Sequence, residues 1–477
     1  MSAESYDHAT TQLFQLRSTH GENFDNCHRL PRQTKHLALS SRRKEIGGAV
    51  GSPTLKIEYN QVDNSWGQGE AVFEIFSVDD HIIEPANVWS SRVATKYRDV
   101  APHVIDEDGR EFWVYEDQRI TTMGLNAVAG KPREDWGMEP TRFSEMLPGC
   151  YDPKERARDY LSQGVLASVN FPTLPRFGGM LFSSFKDKVL AYECVKAWND
   201  FILDEWCPAG PPGMFVPMII TTVWDPILGA QEIQRCVSKG AKALCFTENP
   251  VTDGLPSFHT KDGHWDPIWH ACQDTGIPVC MHIGSSGYMP MIDPAAAFTS
   301  IISAGNVAGI LATINMLLTG ICERFPEIKM VWSEAGIGWI PSVLERCDRQ
   351  IDRHQYWGGK PTMKPSEIFA RNMYACMVEE PIGLQQWEAI GLDRILSETD
   401  YPHADTPFPH VQRAYAEVFQ GMPDHVVAAV THSNAERVFD WKMADASLAT
   451  IDAQWSPPPG WGPHANAGGA HSSELSN

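Results

Sequence analysis

Eight short apolar runs recur along the chain, separated by longer stretches in which apolar residues return every three or four positions. The runs fall at 74–81 (EIFSVDDH), 164–171 (GVLASVNF), 214–221 (MFVPMIIT), 241–247 (AKALCFT), 277–283 (IPVCMHI), 328–334 (IKMVWSE), 373–378 (MYACMV) and 394–400 (RILSETD). They are continuous rather than alternating, which predicts strands buried on both faces of a parallel sheet. Helices are expected at 184–206, 225–239, 265–275, 339–354 and 382–391. Eight such units predict an α/β fold, a (β/α)8 barrel. An open doubly wound sheet is the alternative, but no glycine-rich phosphate loop follows the first strand. Between the first two strands, 103–120 reads HVIDEDGREFWVYEDQRI and predicts a hairpin turning at Asp108 and Gly109. It is expected to be a cap or interface element rather than a barrel strand. Residues 1–70 are polar without a sustained period and are expected to form an irregular N-terminal extension. The barrel is assigned to 71–445. The Pro/Gly/Ser-rich stretch 446–477 is expected to be a flexible C-terminal tail.

Charge narrows the partners. The formal net charge of −21 argues against nucleic acid and against docking on anionic lipid. Residues 294–322 carry no charge and are long enough to cross a membrane. However, Asn306, Asn315 and several Gly and Ser interrupt the run, and ERFPEIKMVW follows directly. Buried core helices are therefore expected, and no membrane partner. None of the 11 Cys forms a CxxC pair and most lie in apolar runs, the pattern of buried thiols in a reducing compartment. The N-terminal MSAESYDHATTQ lacks an apolar secretory core, so a cytoplasmic location is expected.

Active sites of such barrels form at the C-terminal strand ends. The ionisable residues there are Asp79 and His81 on the first strand, Glu248 after the fourth, and His282 ending the fifth. Glu334 ends the sixth, and Asp400 with His403 follows the eighth. Residues i and i+2 of a strand share a side, so Asp79 and His81 face the barrel axis while Asp80 faces away and reads as a turn residue. Mixed His and Asp donors suit a divalent ion, zinc in first place, with manganese or iron as alternatives. Asp79, His81, His282 and Asp400 are the candidate ligands. Three have a plainer reading: Asp79 as a helix cap, His282 as a core histidine bonded to backbone, Asp400 as a turn residue before Pro402. Arg176, His259, His264 and Tyr288 are candidates for substrate contact. The plainer reading of the first three is a solvated loop residue.

The stretches SVDDHIIEP, FPTLPRFGG, AWNDFILDEW, WDPIWHACQDTGIPVCMHIGSSG, FPEIKMVWSEAGIGWIPSVLERCD, ILSETDYPHAD and HSNAERVF span about 74–440. In order and spacing they resemble the amidohydrolase-related family, in the branch that contains aminocarboxymuconate-semialdehyde decarboxylase. That resemblance implies a distorted (β/α)8 barrel, one divalent metal, a small-molecule substrate and a homodimer. It also implies ligands at Asp79, His81, His282 and Asp400. Two departures stand out. Asp79 takes the place of a more usual His or Glu. Glu334 stands where many members end the sixth strand in a histidine, so proton transfer is expected to fall to Glu334, with His403 and Asp400. The expected activity is nonoxidative decarboxylation of a small aromatic or conjugated acid. Alternatives are hydrolysis of an amide, ester, lactone or carbon–carbon bond by metal hydroxide, and a non-catalytic metal-binding barrel.

Overall fold

The computed structural model describes residues 73–456, apart from 121–123, 139–141, 291, 294, 359–360 and 453–454. The expected N-terminal extension lies outside these residues, as does most of the expected tail.

The first barrel strand is β1 (Ile75–Ile82), followed after the insert by β5 (Val165–Pro172). The third is interrupted. Pro217 has no N–H to give to a ladder, and it divides the strand into β6 (Phe215–Val216) and β7 (Met218–Ile219). Its carbonyl still accepts from Lys242 N at 2.9 Å, so the sheet continues past the break. β8 (Ala243–Phe246), β9 (Val279–His282), β10 (Met330–Ser333), β11 (Met373–Met377) and β12 (Ile395–Ser397) complete the set. Pairing is parallel throughout, in the order β1-β5-β6 and then β7-β8-β9-β10-β11-β12. Every residue of these strands is buried, as the continuous apolar runs imply. Two bonds join the last strand to the first: Asp400 N donates to Asp79 O at 2.9 Å, and His81 N to Tyr401 O at 2.7 Å. This closes a distorted (β/α)8 barrel.

Four of the expected helices form close to their predicted spans, at Lys188–Phe201, Pro226–Ser238, Asp266–Thr275 and Ile340–His354. The aspartates before the first two cap them, Asp187 accepting from Val189 N and Leu190 N, and Asp225 from Leu228 N. The expected helix 382–391 instead becomes two single turns, Pro381–Leu384 and Trp387–Ile390. Leu384 and Ile390 are both buried. Gln385 and Gln386 separate the two turns. The uncharged segment forms Phe298–Ser303 and Gly305–Leu317. Gly305, Ala308, Gly309, Ala312 and Met316 are buried, whereas Phe298, Ile302, Val307 and Leu311 are exposed. The expectation of fully buried core helices therefore holds on one face. By length and composition alone, Phe298–Leu317 is apolar enough to cross a membrane.

The insert is larger than a hairpin. It is a three-stranded antiparallel sheet of β2 (His103–Glu107), β3 (Arg110–Tyr115) and β4 (Gln118–Ile120). Its first turn places Asp108 at φ 52° and Gly109 at φ 78°, the two left-handed residues that a tight two-residue hairpin needs. Trp113 packs edge-on against Trp89, and Tyr115 lies 3.7 Å from the Phe185 ring, which anchors the sheet to the barrel wall.

Candidate metal centre and active site

Alternation along β1 sends Asp79 and His81 to the barrel axis, and both are fully buried. His282 enters from the end of β9 and Asp400 from the loop after β12. His81 Nε2 lies 3.4 Å from Asp79 Oδ1 and 3.1 Å from Asp400 Oδ1. His282 Nε2 lies 3.4 Å from the other Asp79 oxygen and 3.5 Å from Glu334 Oε2. His403 stacks on His81 with ring centroids 3.5 Å apart, its Nδ1 3.8 Å from Asp400 Oδ1. All six predicted ligand and catalytic residues thus converge.

The chemistry of the donors fits a divalent cation. Both oxygens of Asp79, both ring nitrogens of His81, His282 Nε2, Asp400 Oδ1 and His403 Nε2 are buried without a hydrogen-bond partner. Unsatisfied buried polar atoms are costly, and these donors fall into two overlapping sets that share His81, one of Asp79, His81 and His282 and one of His81, Glu334, Asp400 and His403, each able to hold an ion. Donors about 2.1 Å from a common tetrahedral centre lie about 3.4 Å apart, the spacing found here. His282 is oriented to ligate through Nε2. Its Nδ1 lies 2.6 Å from Ile283 O, an acceptor only, so Nδ1 carries a proton and Nε2 is the nitrogen that faces the cluster.

Charge in the cluster is unbalanced. Burial raises Asp79 well above the usual carboxylate range, and Glu398 and Glu334 add to the effect. Asp400 is raised in the same way, by burial first and then by Glu334 and Asp79. Burial, His403 and His282 hold His81 well below the usual imidazole value. Burial is the largest single influence on His282 and Glu334 too and works against their charged forms, but the charge and hydrogen bond of each to the other, with smaller help from Ile283 O and Glu248 for His282 and from His403 and Asp400 for Glu334, together outweigh it. His282 is raised and Glu334 is lowered to about 2. Burial lowers His403 to about 3.

The four candidate substrate residues do not join this cluster. Arg176 is exposed, at φ 55°, and its charge reaches Asp253. His259 is exposed, with Nε2 2.7 Å from Asn315 Oδ1. His264 meets Trp265 edge-on, and Tyr288 is 43% exposed. Each lies on a surface loop rather than on a strand end, which is why strand alternation gave no handle on it. Asp80 is a correction. It does face away from the axis, but it is fully buried rather than a turn residue.

Several residues that matter were not singled out. Glu398 is buried, and its two oxygens accept from Glu334 N at 3.1 and 3.3 Å. They hold Glu334 at a left-handed φ of 52°. The signal was present: Glu398 stands two residues before Asp400, the same alternation that pairs Asp79 with His81. Phe177 stacks on His282 at 4.2 Å, and Phe171 lies 5.5 Å from the same ring. Glu84 accepts from Thr173 N, Leu174 N and Trp198 Nε1, tying the Phe177 loop to the end of β1.

The amidohydrolase family model matches residues 101–441 of this chain. The chain belongs to the amidohydrolase family. The match begins after β1, so Asp79 and His81 enter this amidohydrolase's site from outside the matched segment. Gamma-resorcylate decarboxylase from Polaromonas sp. strain JS666 is 23% identical over 300 residues, covering 58% of this chain and 83% of that protein. An amidohydrolase from Mycobacterium avium subsp. paratuberculosis K-10 superposes with a TM-score of 0.61 at 18% identity, over 78% of this chain and all of that one. A dihydroxybenzoic acid decarboxylase from Polaromonas sp. JS666, solved with manganese and 2-nitroresorcinol, has a TM-score of 0.51 at 15% identity, over 77% and 97%. These structural likenesses establish the shared barrel.

Proposed function

We propose that this amidohydrolase is a metal-dependent, nonoxidative decarboxylase of a small aromatic or conjugated carboxylic acid. The observation that carries the reading is the convergence of unpartnered donors from Asp79, His81, His282 and Asp400 beside an aromatic wall. The names of its relatives supply the reaction type. Phe171 and Phe177 suit an aromatic ring lying against the His282 side of the site. A divalent ion held by the four donors supplies a fixed positive charge that stabilises negative charge on a substrate oxygen. Two carboxylates and two imidazoles suit manganese as well as zinc, and manganese in the Polaromonas structure favours the former.

In decarboxylation the bond between the ring and carboxyl carbons breaks, its electron pair stays on the ring, and a proton must reach that carbon as carbon dioxide leaves. Asp400 and His403 lie side by side at the cluster and are assigned that delivery. Glu334, ionised and paired with His282, is assigned the role of proton acceptor. A hydrolytic reading rests on the same Glu334, since an ionised carboxylate beside the ligands suits a base acting on water. Carbon dioxide release from a panel of hydroxybenzoates by protein loaded with Mn²⁺ or Zn²⁺ tests the first reading. Turnover of esters or lactones without carbon dioxide release would replace it with the second.

A further inference from the structure

β1 and β12 form no regular ladder with each other. Besides the backbone bonds Asp400 N to Asp79 O and His81 N to Tyr401 O, and Thr399 N to Ser77 Oγ, the loop after β12 is tied to β1 by the Asp80 carboxylate. Asp80 Oδ1 accepts from Tyr401 N at 2.8 Å and from Thr399 Oγ1 at 2.6 Å. Its Oδ2 accepts from Tyr160 OH at 2.8 Å and Ser168 Oγ at 2.5 Å. The residues that Asp80 grips therefore flank Asp400, and Asp80 itself stands between Asp79 and His81. Asp400 has a left-handed φ of 47°, unfavourable for a residue with a side chain. It is held there by its own N–H to Asp79 O and by the bonded residues on either side.

A buried cation completes the arrangement. Arg156, fully buried on the helix Pro153–Gln163, donates from Nη1 to Tyr160 OH at 2.9 Å and from Nη2 to His81 O at 2.7 Å. Its guanidinium lies 4.2 Å from the centre of the Tyr401 ring. Arg156 therefore touches both the peptide that carries His81 and the ring that follows Asp400, while Asp80 supplies the nearby negative charge.

We propose that Asp80 is a positioning residue of the metal centre: through Thr399 and Tyr401 it fixes Asp400 against Asp79 and His81, and so sets the affinity for a divalent ion. This rests on the metal-centre reading above. Residues that orient ligands from behind typically change metal affinity by about 10–100-fold when removed.

The test is Mn²⁺ titration of metal-depleted, full-length protein, followed by calorimetry and by the manganese paramagnetic resonance spectrum. Asp80→Ala is expected to weaken Mn²⁺ binding at least tenfold and to broaden the spectrum. Asp80→Asn, which keeps Oδ1 for Tyr401 N and Thr399, is expected to recover most of the affinity. Asn199→Ala serves as the stability control. It removes a buried hydrogen-bond node at Ile220 and Glu232, away from the cluster, and is expected to lower the melting temperature with affinity within twofold. If Asp80→Ala does not fold, Thr399→Val reads the same link and is expected to weaken binding several-fold. Wild-type affinity in folded Asp80→Ala or in Thr399→Val overturns the proposal, as does an equal loss in Asn199→Ala. Absence of stoichiometric Mn²⁺ binding by the wild type instead overturns the metal-centre reading, and this proposal with it.

Discussion

Replacing Arg156 by Lys keeps the charge and removes the fork. Three different nitrogens of Arg156 are in use: Nε donates to Gly149 O at 2.5 Å, Nη1 to Tyr160 OH and Nη2 to His81 O. A lysine ammonium is one point with three donors and does not span positions set by a rigid planar group. Nη2 also reaches Cys150 O at 3.3 Å, and at least two of these four acceptors should lose their donor. Tyr160 OH can turn to another partner, but a buried carbonyl cannot. Each orphaned buried acceptor costs about 1–3 kcal/mol, giving about 2–6 kcal/mol for two. For a folded unit of this size the unfolding entropy near 60 °C is about 0.8 kcal/mol per K, so the melting temperature should fall by about 3–8 °C. Scanning calorimetry of the metal-depleted protein measures this without contribution from bound ion. A shift below 1 °C would refute the reasoning, because it would mean that a single ammonium satisfies what the guanidinium does.

Three further outcomes are expected. His282→Ala with Asp400→Ala should abolish stoichiometric divalent metal in purified protein, by elemental analysis; retained metal would remove the proposed centre. Glu334→Gln should keep normal metal content and lose at least about a hundredfold in kcat for the proposed reaction, and full activity would remove its proton-transfer role. Burial raises Glu84 from 4.5 to about 7 against the opposition of its N–H donors. A carboxyl raised on folding favours the folded state when protonated. Its stabilising effect is therefore full below about pH 4.5 and is lost as pH rises to about 7, on the order of 3 kcal/mol in all. Glu84→Gln should flatten that dependence, and urea midpoints at pH 5 and pH 7.5 that change equally in both proteins would contradict it.

The barrel was legible because all eight strands are buried on both faces and so read as unbroken apolar runs. The cluster of candidate residues was legible because strand alternation applies wherever a strand meets the mouth. Both rules weaken where the chain departs from regular elements. The helix Pro153–Gln163 was passed over because its buried face includes Arg156 and Gln163, which look like surface residues in a sequence. Asp80 was misread for a related reason. Alternation gave its direction correctly but said nothing of what lies behind the strand, and a buried aspartate needs partners that only the fold supplies. The helices Phe298–Ser303 and Gly305–Leu317 show the converse. An uncharged sequence looked buried all round, yet only the face of small residues packs inward.

The departure at the sixth strand has a structural counterpart at the eighth. The resemblance leads one to expect a histidine where Glu334 stands, and a plain substitution would add a negative charge to a site already rich in carboxylates. His403 restores the missing imidazole, although burial keeps it neutral. It enters from the loop after β12 and stacks on His81, with Nδ1 3.8 Å from Asp400 Oδ1. The site therefore retains three imidazoles, with the third supplied by a different strand end. Glu334 in turn is not left to repel its neighbours: His282 pairs with it from one side, and Glu398 fixes its backbone from the other. That division explains why Glu334 is held ionised while Asp79, Asp400 and Glu398 are all raised by burial. If it is right, Glu334→His and His403→Glu should be more damaging singly than together, because the pair restores the count of imidazoles and carboxylates. The measurement is Mn²⁺ affinity of both single variants and the double. Additive losses in the double would show that the two residues are independent.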